Sequence, residues 1–216
     1  MTSQPGYRGL RQTSNREALL GAASELIGVR SLSEVSIDEI VHRAGVAKGT
    51  FYNHFRDKAD ISHHVAVGVR QDVQDQIAQF KSIIADPALR LSIALTLFLD
   101  LAVYSPQRAQ ILVTMLTDVS DIGAPMNARV RATLEEGRSS GRFSFRSLDS
   151  TFVFVLGIVV AGVRSILERD IQDDSPDLIN DLIVHGLIGL GLSRVDAVSM
   201  AASARDKVRS ASAPDN

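Results

Sequence analysis

Apolar residues recur at helical spacing in one segment of this chain after another. Leu19, Ala22, Ala23 and Leu26 form one stripe, Leu91, Leu95, Phe98, Leu99 and Ala102 a second, and Ile111, Met115 and Leu116 continue the pattern. Phe152, Leu156, Val159, Val160 and Val163 belong to a segment apolar on most sides, which predicts a helix buried on more than one face. Phe143-Ser-Phe145 alternates with the period of a strand, but over too few residues to make one. The pattern predicts nine or ten helices and no sheet, an all-α chain.

Polar residues punctuate these stripes. Ser14-x-x-Glu17 and Ser36-x-x-Glu39 read as capping boxes, and Asp57-x-x-Asp60 as a weaker one. Asp86-Pro87, Ser105-Pro106, Ala124-Pro125 and Ser175-Pro176 place proline where a first helical turn begins, because its missing N–H would be unpaired there anyway. Ser193 followed by Asp196 marks one more start. The expected layout is a disordered basic tail over residues 1–12, a small helical head over 13–56, a larger helical body over 57–209 and a frayed end over 210–216.

Composition narrows the class. The chain has 216 residues, 45 % of them hydrophobic, enough for a sizeable core. With no cysteine there is no disulfide framework and no thiol nucleophile, which fits a reducing cytoplasm. The N-terminus lacks the apolar stretch of a signal peptide. The longest apolar run, Phe152 to Ile166, is interrupted by Gly157, Gly162 and Arg164 and falls short of the roughly 20 residues of a membrane span, so no membrane partner is expected. Net charge is −2, but basic residues gather locally: Arg8, Arg11 and Arg16 in the tail, and Arg43, Lys48, Arg56 and Lys58 against Asp57. Such a patch can meet phosphate while the whole chain stays near neutral.

That second patch surrounds an unusual stretch, GVAKGTFYNHF, residues 45–55. Only 5 % of the chain is aromatic, yet Phe51, Tyr52 and Phe55 fall within it. A short helix from Ser36 to Ala44 precedes it, and Gly45 can end that helix in a left-handed cap and turn the chain. A second short helix from about Ala47 to His54 completes a helix-turn-helix pattern. Ala47, Phe51 and Phe55, at i, i+4 and i+8, are assigned to packing. Lys48, Thr50, Tyr52, Asn53 and His54 remain for the outer surface, a set suited to phosphate oxygens and base edges. At Gly49 the backbone can approach another surface closely.

From Ser36 to Ile61, SIDEIVHRAGVAKGTFYNHFRDKADI, the chain resembles the TetR family of transcriptional regulators, with Gly45-Val46-x-Lys48-Gly49-Thr50-Phe51-Tyr52-x-His54-Phe55-x-x-Lys58 following the family signature. Ala47 stands where many members have serine, and Ala59 where glutamate is common. The resemblance implies a homodimer, each subunit with a three-helix DNA-binding head and a helical body that dimerises and binds a small effector. It implies double-stranded DNA as partner. The candidate DNA-contact set is Ser36, Ala47, Lys48, Gly49, Thr50, Tyr52, Asn53, His54 and Lys58. It further implies that the helices at about 147–169 and 176–190, which carry Gly157, Ala161, Gly162, Gly186 and Gly189, form the dimer interface, against the alternative that these small residues serve packing inside one subunit.

In the body, Asp100 and Arg164 interrupt apolar helices, and three placements stay open for them: paired with each other, lining a cavity, or in solvent. With Phe98, Tyr104 and Met115 they are the candidate ligand-binding residues. His63 and His64 cannot chelate as an i, i+4 pair does, since neighbouring helical residues point about 100° apart, and no metal is expected. No nucleophile elbow, P-loop, zincin or dinucleotide fingerprint occurs, so neither catalysis nor a cofactor is implied. The expected function is that of a ligand-responsive repressor acting on a palindromic operator. Two alternatives stand beside it: a helical carrier or enzyme with a vestigial head, and an accessory DNA binder without a ligand.

Overall fold

The computed structural model describes residues 6–30, 34–81, 84–116, 127–168 and 175–212, without the side chains of 6–13, 28–29, 81, 114–116, 175 and 212. Among the described residues it contains ten helices and no strand: α1 (Gly6–Val29), α2 (Ile37–Ala44), α3 (Lys48–Tyr52), α4 (Lys58–Lys81), α5 (Pro87–Tyr104), α6 (Pro106–Leu116), α7 (Ala128–Ser139), α8 (Leu148–Glu168), α9 (Ser175–Gly189) and α10 (Arg194–Ser212). The all-α architecture expected from the periodicity is the one observed.

Several helix starts follow the polar punctuation. The Ser36 hydroxyl accepts from the Glu39 N–H at 3.2 Å, and the Glu39 carboxylate accepts from the Ser36 N–H at 2.8 Å, a complete capping box. Asp86 accepts from the Ala88 N–H at 2.8 Å with Pro87 in the first turn. Before α4 the reciprocal bonds are offset by one residue: Asp57 accepts from the Asp60 N–H, while Asp60 accepts from the Arg56 N–H. The start expected at Ala124-Pro125 lies outside the described residues.

One expected start is wrong. α1 begins at Gly6, so Ser14 sits inside a helix rather than capping it, and residues 6–12 are helical rather than disordered. The reason is local: between Gly6 and Glu17 no proline interrupts the chain, and Leu10, Arg11, Gln12 and Arg16 are good helix formers that tolerate a serine among them. At the other end α10 continues to Ser212, three residues into the stretch expected to fray.

Two main hydrophobic clusters hold these helices. The first joins α1, α2, α3 and the start of α4, with Leu19, Ala23, Ile40, Phe51, Phe55 and Ile61 all buried. Val65 and Ala66 of α4 and Ile111 of α6 belong to the same cluster. The second lies around α5, which packs against α4, α6, α7, α8, α9 and α10. Val69, one turn beyond Val65 on α4, already belongs to this second cluster. α5 and α8 are long and apolar enough to cross a bilayer, contrary to the reading that the apolar run falls short. The helices extend beyond the apolar run that was counted, and both lay their apolar faces against neighbouring helices.

Candidate nucleic-acid interface and body cavity

α2 ends where Gly45 adopts φ 67°, ψ 29°, a left-handed conformation that side chains other than glycine's tolerate poorly. The Val46 N–H then donates to the Val41 carbonyl at 3.0 Å, and the chain turns into α3. α3 has only five residues and could not persist alone in water. What holds it is aromatic packing. Phe51 and Phe55 are fully buried with ring centroids 5.8 Å apart, and Tyr52 meets the Phe51 ring edge-on at 5.4 Å. The Arg16 guanidinium of α1 lies 5.4 Å from the Phe55 centroid, closing the other side.

The outer surface of this helix carries Lys48, Gly49, Tyr52 and Asn53, all exposed, with Thr50 and His54 half-buried beside them. Tyr52 keeps 54 % of its surface in solvent although it is aromatic, so its phenol is available to a partner. Nothing lies within 4 Å of where a Cβ on Gly49 would stand. The Lys48 ammonium meets Asp38 of α2 at 2.8 Å, and that hydrogen bond raises its pKa above the usual lysine value. Ser36 is exposed at the start of α2, and its backbone N–H, followed by the Arg30 side chain, holds the Glu39 carboxyl down at about 2.

Two members of the expected set are placed differently. Ala47 is not part of the packed face of a helix; it is the exposed residue just before α3, and its side chain makes no capping bond. The helix is shorter than its i, i+4, i+8 spacing suggests, so Phe55 packs from the turn that follows. Lys58 is half-buried and its ammonium donates to the Val35 carbonyl at 2.7 Å, tying α4 to the loop before α2.

The body contains a cavity of about 250 Å³ between α4, α5, α7 and α8. Phe98 lines it, together with Leu91 and Leu95 from α5 and Phe152, Val155 and Val159 from α8. Asp100, Tyr104 and Arg164 do not. Asp100 is two residues, about 200°, round the helix from Phe98. It faces α10, where burial pushes its carboxyl up to about 6 while Arg205 and Arg209 pull it back. Tyr104, at the end of α5, is 79 % exposed. Arg164 is exposed on the outer side of α8, so it does not pair with Asp100. Met115 lies on α6, with its side chain outside the described residues.

The polar lining was not anticipated. Arg70 and Gln74 come from α4, Arg90 from α5, and Arg129, Thr133 and Glu136 from α7. Arg70 is 8 % exposed, donates to the Asn127 side-chain Oδ1 at 2.7 Å, and has its pKa lowered by burial. The i, i+4 spacing of Arg70 with Gln74 and of Arg129 with Thr133 puts each pair on one helix face, a signal present in the sequence but shared by many solvated helices.

The small residues of α8 and α9 divide into two groups. A Cβ on Gly162 would stand 2.6 Å from Leu99, one on Gly186 2.8 Å from Ile158 and one on Gly189 2.8 Å from the Phe154 ring, so these three serve close packing within the subunit. Gly157 and Ala161 stay exposed, beside Val153, Phe154 and Ile188, which expose 36–43 % of their surface.

A helix-turn-helix head on an all-helical body defines a class, and comparison shows what the head and the fold are similar to. Residues 19–65 match the family model described as bacterial regulatory proteins, tetR family. The HTH-type transcriptional regulator YvdT of Bacillus subtilis (strain 168) is 40 % identical over 68 residues, 31 % of this chain and 35 % of the relative. An HTH-type transcriptional regulator of Staphylococcus aureus (strain bovine RF122 / ET3-1) is 32 % identical over 69 residues, 32 % of this chain and 36 % of the relative. The match thus spans about a third of the length of these curated relatives. Two solved structures extend the likeness in fold over most of the chain. RolR in complex with resorcinol superposes with a TM-score of 0.70 at 23 % identity, covering 89 % of this chain and 95 % of that one. A gamma-butyrolactone receptor (ArpA-like protein) gives 0.63 at 18 %, covering 91 % and 98 %. The likeness to the tetR family model is thus confined to residues 19–65, and over the rest of the chain it is a likeness of helical fold.

Proposed function

We propose that this chain is a cytoplasmic, ligand-responsive transcriptional repressor that binds a palindromic operator as a homodimer and releases it when a small molecule fills the body cavity. The observation that carries this is the outer face of α3. A five-residue helix is anchored by two fully buried phenylalanines, yet it leaves a lysine, a tyrosine and an asparagine in solvent. Packing alone gives no reason to keep such groups together on an exposed face, whereas a major groove offers each of them a partner. Lys48, Thr50, Tyr52, Asn53 and His54 read the operator in this proposal, with close backbone approach at Ala47 and Gly49 and a phosphate contact at Ser36. Lys58 reaches a phosphate only by leaving the Val35 carbonyl.

The division into a head over residues 13–56 and a body over 57–209 is part of the same proposal, and α4 links the two. The exposed apolar strip of Val153, Phe154 and Ile188, with Gly157 and Ala161 beside it, supports α8 and α9 as the dimer interface. Two recognition helices must stand about 34–36 Å apart to enter successive major grooves, so a tilt of α4 that changes this distance releases DNA. RolR was crystallised with resorcinol, which supports an effector site within this fold.

The test is selection of random duplex DNA by the purified full chain, with the Lys48→Ala/Tyr52→Ala double variant alongside. A palindrome enriched by the wild type and lost in the variant is the expected result. No enrichment even at low salt, where phosphate contacts are strongest, would sink the reading.

A further inference from the structure

We propose that Asp38 is a positioning residue that sets the specificity of the head through Lys48: its carboxylate holds the ammonium back from phosphates in general and leaves it for a base edge. This rests on reading α3 as the helix that meets the operator. The sequence gathers Arg43, Lys48 and Arg56 into a basic patch, but the fold does not leave that charge bare. Arg43 meets Glu25 of α1 at 2.6 Å, and Arg56 meets Asp60 of α4 at 3.4 Å. Arg30, just after α1, meets Glu39 of α2 at 2.8 Å. Lys48 meets both oxygens of Asp38, at 2.8 and 3.1 Å, across the two helices of the helix-turn-helix. Each of these cations already has a carboxylate.

The pair between Lys48 and Asp38 does little for the fold. The two side chains keep 54 % and 70 % of their surface in solvent, and an ion pair so exposed adds little to stability. An acid in the first turn of α2 also favours the helix dipole, but that effect does not pass through Lys48. What the pair changes is the set of partners open to Lys48. To meet a backbone phosphate, the ammonium must leave Asp38 or draw a carboxylate toward a second anion, and either offsets the gain from counterion release. A base edge is different. The ammonium has three N–H donors, so two remain for O6 and N7 of a guanine while one stays on Asp38. Phosphates occur at every step of a duplex and carry no sequence, whereas that pair of acceptors occurs only at some steps. A clamped Lys48 therefore contributes more on a matching sequence than on a random one.

The experiment is binding of the full chain, across a salt series, to two duplexes: the palindrome enriched by selection and the unselected random pool. Asp38→Asn releases Lys48 with almost no change in side-chain shape. At about 0.1 M salt it should tighten binding to the random pool roughly eightfold for each head engaged, and steepen the slope of log K against log salt by about 0.9 for each. The palindrome should gain less, so the preference for it falls. Asp38→Glu, which keeps the charge, should keep the wild-type slope. In the Lys48→Ala background Asp38→Asn should lose most of its effect, because the cation it acts through is gone. If Asp38→Asn melts early, Asp38→Ser takes its place with the same expectations. The proposal is overturned if the random pool is bound no more tightly, if both duplexes gain equally, or if the gain persists without Lys48. A wild type that enriches a palindrome while Asp38→Asn changes nothing sinks this inference alone. A wild type that enriches none even at low salt sinks the reading of α3, and this inference with it.

Discussion

Replacing Phe51 by alanine should unlock the head while the body stays folded. The Phe51 side chain is 0 % exposed, and its ring touches those of Tyr52 and Phe55. Truncating a buried phenylalanine costs about 3–5 kcal/mol, the transfer of the ring plus the cavity it leaves. At about 1.4 kcal/mol per factor of ten, that multiplies the open fraction of the head by roughly 150 to 4,000. α3 has no reserve with which to absorb the loss, because its five residues depend on this packing. The second cluster, around α5, contains neither Phe51 nor Phe55. Hydrogen exchange on the full chain reads both regions at once. Amides of α2 and α3 should exchange faster by about the factor given, amides of α8 should be unchanged, and α6 near Ile111 should fall between them. Operator binding should weaken in step with the open fraction. Equal acceleration in α3 and α8 would refute the reasoning, as would α3 amides that exchange at the wild-type rate.

Other outcomes follow from single contacts. Burial raises the folded-state pKa of Asp100 to about 6, above its ordinary value of 3.8, so the neutral form is favoured on folding and stability is lost as pH rises from about 4 to 6. Asp100→Asn should remove that slope and stabilise the chain by on the order of 2–3 kcal/mol above pH 6, measured by urea unfolding across pH. Ala47→Ser supplies the side-chain cap that α3 lacks and should stabilise the head by about 0.5–2 kcal/mol, seen as slower amide exchange there. A Cβ on Gly137 would stand 2.0 Å from the Phe143 ring, so Gly137→Ala should destabilise by about 1–3 kcal/mol or more in thermal unfolding, with the α3 amides unaffected.

What was legible in the sequence was what depends on neighbours along the chain. The capping box at Ser36, the left-handed turn at Gly45 and the aromatic anchor at Phe51 each involve residues a few positions apart, and each stands where local chemistry puts it. Ser14 shows the limit of that method, since a serine with a glutamate three residues on is also compatible with a helix interior when the preceding residues favour helix. The cavity was legible only at Phe98. Its charged side is assembled from Arg70, Arg90 and Arg129 on three helices, and no spacing along one helix announces a meeting of three. Asp100 was misplaced by rotation: an acidic residue in an apolar stripe signals a special environment, but not which neighbouring helix provides it.

The place of Ile111 bears on how such proteins can be recombined. The segment that matches the family, residues 19–65, is contiguous, yet the cluster that stabilises it also takes Ala66 and, from α6, Ile111. A graft of residues 19–65 onto a foreign body would leave that socket unfilled, with apolar surface exposed where α6 had covered it. Chimaeras that exchange the head alone should therefore express poorly unless the new body supplies a matching apolar residue on the helix that replaces α6, and the unit that can be transplanted is discontinuous in sequence.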